Sequence, residues 1–154
     1  MNIEFMKDAI ALACENIKQG GGPFAAVIVK DNQVIARTGN TVTKDNDPTA
    51  HAEVNAIRMA CKKLGTFDLS GCEIYSSCEP CPMCLSAIYW AHIDKIYMSG
   101  LKHEAAQAGF DDQFLYEEIV KDYPQRKIPI TVLLRERGNE PFEQWKKYEQ
   151  KIEY

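Results

Sequence analysis

Two short motifs must be brought to one point by whatever fold this chain adopts: His51-Ala52-Glu53 and, farther along, Pro80-Cys81-Pro82-Met83-Cys84. One imidazole and two thiols are side chains that hold zinc. A catalytic zinc takes three protein ligands and leaves a fourth position for water. His51, Cys81 and Cys84 are therefore the expected ligands of one Zn2+ per chain. Glu53 stands too close to His51 in the chain to be a further ligand, but near enough to carry protons to and from that water.

Simpler readings compete. A C-x-x-C pair alone is also a redox motif, or half of a closed four-ligand zinc site. A redox pair leaves His51-x-Glu53 and Pro80 unexplained, and a closed site needs a fourth donor, for which Cys78 is the candidate. Cys14, Cys61 and Cys72 lie in apolar patterns and are expected as small core residues, as are Met59 and Met83. His92 and His103 have no motif around them and are expected at the surface or at caps.

The 154 residues suit one domain, 1–154, with 45% hydrophobic and 26% charged residues. The net charge of −4 argues against a nucleic-acid partner, because phosphate binding is driven by a basic face. No apolar run approaches the ~18 residues of a membrane-spanning helix. The first residues show no basic leader followed by an apolar run, so six cysteines read as thiols and the expected location is cytoplasmic.

Apolar residues Ile3, Met6, Ile10, Ala13, Cys14 and Ile17 at helical spacing predict a helix over 3–18, stopped by Gly20-Gly21-Gly22-Pro23. Phe24–Val29 and Val34–Arg37, joined at Asp31-Asn32, read as a hairpin. The polar stretch 40–48 reads as a loop, and Thr49 as the cap of a helix from Ala50 to Leu64, ended by Gly65. Strands follow at Cys72–Ser76 and Lys95–Ser99, with a helix opened by Pro82 between them. Gly109–Asp112 reads as a loop, Gln113–Lys121 as a helix, Ile128–Leu134 as a last strand and Phe142–Ile152 as a terminal helix. This order implies an α/β fold, a five-stranded mixed sheet covered by helices on both faces.

The pattern H-x-E…P-C-x-x-C is the signature of zinc nucleobase deaminases. The runs Asp47–Val54 and Ser77–Cys84 resemble the cytidine deaminase superfamily, in its branch of tRNA adenosine and guanine deaminases. Gly22-Pro23-Phe24, Ala87–Ala91, Ala108–Asp112 and the final Glu153-Tyr154 are most similar to the bacterial guanine deaminases of that branch. The resemblance spans the chain. It implies a three-layer α/β/α sandwich, zinc on His51, Cys81 and Cys84, and Glu53 as proton shuttle. It further implies that Asn40 hydrogen-bonds a guanine base, Phe24 stacks on it and the Ala52 backbone lines the pocket. Asp112 would accept from the ring edge and carry a second proton. Such relatives are homodimers that exchange the C-terminal segment, which would place Tyr154 over the partner's site and Trp90 at the interface or the site.

The expected activity is hydrolysis of guanine to xanthine and ammonia, in purine catabolism or salvage. A tRNA adenosine deaminase, or a deaminase of another amino-heterocycle, shares the zinc motifs. A zinc-stabilised scaffold without catalysis is the remaining alternative, though a structural zinc has no use for Glu53.

Overall fold

Asn2 begins the first helix by accepting a hydrogen bond from the Glu4 backbone N–H at 3.1 Å. A computed structural model describes residues 1–154, and in it this helix, α1, spans Ile3–Lys18. It buries Ala9, Ala13 and Asn16, while Ile3, Ile10, Ile17 and Cys14 face outward. The helix stands where the periodicity puts it, but its buried stripe is not the one of large apolar residues. Small side chains let α1 lie close on the sheet, so Cys14 is not a core residue.

The hairpin forms as β1 (Ala25–Lys30) and β2 (Gln33–Gly39). Asp31 and Asn32 both take left-handed backbone angles, φ 50° and 61°, the twist that a two-residue hairpin turn needs. The expected 40–48 loop contains a single helical turn, α2 (Val42–Asp45). Helix α3 (Ala52–Leu64) is closed by Gly65 at φ 68°. Its N-cap is His51, not Thr49. The Thr49 hydroxyl and N–H instead both donate to Asp47 Oδ1, at 2.7 and 2.8 Å.

Next come β3 (Cys72–Cys78), α4 (Pro82–Trp90), β4 (Lys95–Gly100) and α5 (Lys102–Gln107), the last not foreseen from the sequence. The sheet order is β2-β1-β3-β4, with β1 antiparallel to both neighbours and β3 parallel to β4. Alternation along β1 builds two cores. Val27 and Val29 join Ala9 of α1 and Tyr75 on one face, while Ala26 and Ile28 join Ala52, Ala56 and Ala60 of α3 and Ile88 of α4 on the other. The expected three layers, α/β/α, are present. Cys72 is buried and Cys61 packs against the core, whereas Met59 is exposed.

The sheet has four strands where five were expected. Residues 128–134 are not a strand: Pro129 removes a ladder donor, and Leu134 turns left-handed at φ 49°. They belong to a second compact unit, Gln113–Tyr154, distinct from Met1–Asp112. That unit holds α6 (Gln113–Ile119), two 3-10 turns and α7 (Glu140–Lys147), which ends five residues before the expected Ile152. No residue of it is buried. No helix of the chain is long and apolar enough to cross a membrane.

Ile28 is fully buried in the α3 and α4 core. Truncation Ile28→Ala should lower unfolding free energy in urea by ~2–5 kcal/mol, and a loss below ~1 kcal/mol would contradict this packing.

Candidate metal centre

His51 is the N-cap of α3 and Cys81 the N-cap of α4, and neither side chain caps its own helix. Both are thus free to point at a common spot in front of two positively polarised helix ends. Pro82 at the first position of α4 fixes that start, and holds Cys81 in extended backbone at φ −64° and ψ 168°. Cys84 follows one turn later, buried.

The structure brings the three expected donors together. His51 Nδ1 lies 3.6 Å from Cys81 Sγ and 3.5 Å from Cys84 Sγ, and all three donor atoms fall within 4.8 Å of one another. A tetrahedral zinc, with Zn–S near 2.3 Å and Zn–N near 2.05 Å, separates sulfur from nitrogen by about 3.6 Å. The residues fit the metal without rearrangement. Cys78 is not in this group; its Sγ lies toward the Leu101 carbonyl, 4.0 Å away. With three protein donors the set has the count of a catalytic site, not of a closed structural one.

Charge around the donors tells the same story. Hydrogen bonding by Cys84, and then by His51, holds the Cys81 thiol far below its ordinary range. The Cys81 sulfur, burial and Glu53 in turn push Cys84 far above it. The same Cys81 sulfur raises His51. Two sulfurs this close cannot both be thiolates unless a cation takes the place of the protons.

Glu53, in the first turn of α3, is buried, and that burial raises its carboxyl group. Ser76 Oγ donates to Glu53 Oε1 at 2.9 Å, and Cys84 Sγ donates to Oε2 at 3.3 Å. The carboxyl group is therefore pinned at the edge of the donor set without belonging to it. No sequence motif marks Ser76. Its signal was a polar residue at the core-facing position of β3, in line with Cys72 and Ile74.

The other expected residues divide. Asn40 is buried directly after β2; its Oδ1 accepts from Val42 N at 3.2 Å, and its backbone N–H donates to the Phe24 carbonyl at 3.0 Å. The Phe24 ring packs edge-on against Phe110, with centroids 5.0 Å apart. Ala52 is fully buried. Asp112 is half-buried and raised, first by burial and then by the charge on Cys81. Trp90 and Tyr154 are surface residues of their own units, 65% and 75% exposed. His92 and His103 are exposed.

Residues 1–100 match the family model of the cytidine and deoxycytidylate deaminase zinc-binding region. The guanine deaminase of Bacillus subtilis (strain 168) is 52% identical over the whole of both chains. The X-ray structure of guanine deaminase from Bacillus subtilis superposes with a TM-score of 0.97, at 52% identity, covering 100% of this chain and 99% of that one. A tRNA-specific adenosine deaminase of Aquifex aeolicus (strain VF5) is 40% identical over 70% of this chain and 72% of its own. With its His-Cys-Cys donor set placed for zinc, this chain belongs to the cytidine and deoxycytidylate deaminase family.

Proposed function

We propose that this protein hydrolyses guanine, replacing the exocyclic amino group by a carbonyl to give xanthine and ammonia. The observation that carries this reading is the extent of the likeness. It runs the whole length with the Bacillus subtilis guanine deaminase, but over only 70% of the chain with the Aquifex tRNA-specific enzyme. The net charge of −4 also disfavours an RNA substrate.

His51, Cys81 and Cys84 would hold the zinc ion, which when bound would make a water molecule acidic enough to attack at neutral pH. Glu53 takes one proton from the attacking water and passes it to a ring nitrogen; it then takes the proton left on the new C–OH group and gives it to the departing amine. A C–O bond forms and a C–N bond breaks, so guanine and water yield xanthine and ammonia. Burial, with Ser76 on one oxygen, keeps the Glu53 carboxyl group fixed while the proton moves between partners. Asn40 and Asp112 read the edges of the base: a carboxamide offers both a donor and an acceptor, and a carboxylate matches adjacent ring N–H groups. The Asn40 oxygen already accepts from Val42, which leaves its NH2 group for the base. Phe24 lies on the ring face, and the Ala52 backbone closes the pocket behind it.

The same reading makes residues 1–154 one functional domain in a cytoplasmic homodimer with exchanged C-terminal segments. Support comes from the unit Gln113–Tyr154, which buries no residue yet carries Val120, Ile128, Leu133 and Phe142 at 82%, 78%, 80% and 62% exposure. So much exposed apolar surface in a small unit supports a segment that packs on a partner. In the dimer Tyr154 covers the partner's base site, and Trp90 lines the interface or the site.

Ammonia release by zinc-loaded protein should be rapid with guanine and absent with adenine and cytosine. Glu53→Ala should retain one zinc per chain and lose at least ~10²-fold in turnover. Preference for another base would overturn the pocket assignment, and unchanged Glu53→Ala turnover would remove Glu53 from the chemistry. For the exchange, sedimentation should give twice the 17.4 kDa chain mass. Removal of residues 150–154 should cut turnover sharply; unchanged turnover and mass would contradict the exchanged segment.

A further inference from the structure

Asn16 is a polar side chain in the buried face of α1, only 5% exposed. Its Nδ2 donates to two backbone carbonyls at once, Gly22 O and Asn40 O, each at 2.8 Å. These carbonyls belong to separate segments. One leads into Phe24, and the other carries Asn40 at the end of β2. An uncharged side chain that offers two N–H donors from one atom is a carboxamide, and the shorter of the two is asparagine.

The surroundings are shaped to admit that amide. A Cβ at Gly21 would stand 2.3 Å from Asn16 Nδ2, and one at Gly39 2.5 Å from Asn16 Cγ. Any side chain at either glycine would evict the amide from its place. The next glycine faces the other way: a Cβ at Gly22 would lie 3.2 Å from Asn40 Oδ1 and 3.5 Å from Phe24 Cδ2. Asn16 thus grips from behind the two segments whose front presents the Asn40 carboxamide and the Phe24 ring.

We infer that Asn16 is a positioning residue for base binding, setting the separation of Asn40 and Phe24 by bridging the Gly22 and Asn40 carbonyls. This rests on the proposed roles of Asn40 and Phe24. The metal donors and Glu53 come from the starts of α3 and α4 and share no hydrogen bond with Asn16. Loosening the grip therefore weakens hold on the base and leaves proton transfer intact. A residue that only stabilised the fold would not divide the kinetics in this way.

The test compares zinc-loaded full-length Asn16→Ala, Asn16→Asp and Asn40→Ala with the parent. Asn16→Asp keeps the side-chain shape while removing the donors, should the alanine variant fail to fold. The readouts are KM and kcat for guanine, zinc per chain, and the dissociation constant of xanthine by calorimetry. Both Asn16 variants should raise KM and the xanthine constant by at least about tenfold, the scale of one lost buried hydrogen bond. They should hold kcat within about threefold and keep one zinc per chain, since nothing in the proton path has moved. Unchanged KM in a folded Asn16 variant, with KM raised in Asn40→Ala, overturns the inference alone. Unchanged KM in Asn40→Ala overturns the base-binding role of Asn40, and the inference with it. A fall in kcat in step with lost zinc overturns it as well, by showing a structural effect.

Discussion

Everything in the first unit follows from two helix starts that face one point. His51 and Cys81 are N-cap residues whose side chains do not cap, and Cys84 joins them from the first turn of α4. Their separations of 3.5 and 3.6 Å from imidazole nitrogen to sulfur are those of ligands about a tetrahedral zinc. Two thiolates crowded together are unfavourable without a cation, so the chain holds a site whose electrostatics the metal completes.

The sheet exists, in this sense, to hold those starts still. β1 is one of the two inner strands, paired on both sides, with Ala26 and Ile28 set under α3 and α4. Small residues along α3, Ala52, Ala56 and Ala60, let that helix sit close on the strands. β3 then runs beneath and places Ser76 at the buried Glu53. The proton carrier is thereby fixed from two elements at once, its own helix and a strand. Asn16 of α1 and Asn55 of α3 bracket the Gly39–Thr41 segment from two different helices. Asn55 Nδ2 donates to Thr41 Oγ1 at 2.9 Å and to the Ala50 carbonyl at 3.2 Å.

What could be read from the sequence was what depends on local chemistry. Pro82 opening α4, Gly65 closing α3 and Asp31-Asn32 turning the hairpin each need a backbone state that few residues supply. The metal ligands were legible because their side chains have few other uses together. Features set by tertiary packing were not. The buried stripe of α1 is small residues with Asn16, while its isoleucines face outward against the expectation from periodicity. Residues 128–134 look like a strand by composition alone, but a strand needs a paired neighbour, and Pro129 weakens its ladder. Thr49 has the composition of a cap, yet its hydroxyl is taken by Asp47. Ser76 and Asn16 matter through what they face across the fold, and no local pattern announces that.

The central claim is a three-donor zinc site with one position left open. X-ray absorption at the zinc edge of the loaded protein tests it directly. Two sulfurs near 2.3 Å, one nitrogen near 2.0–2.1 Å and one light oxygen scatterer are the expected shell. Three or four sulfurs, drawing in Cys78 and closing the site, would contradict the account.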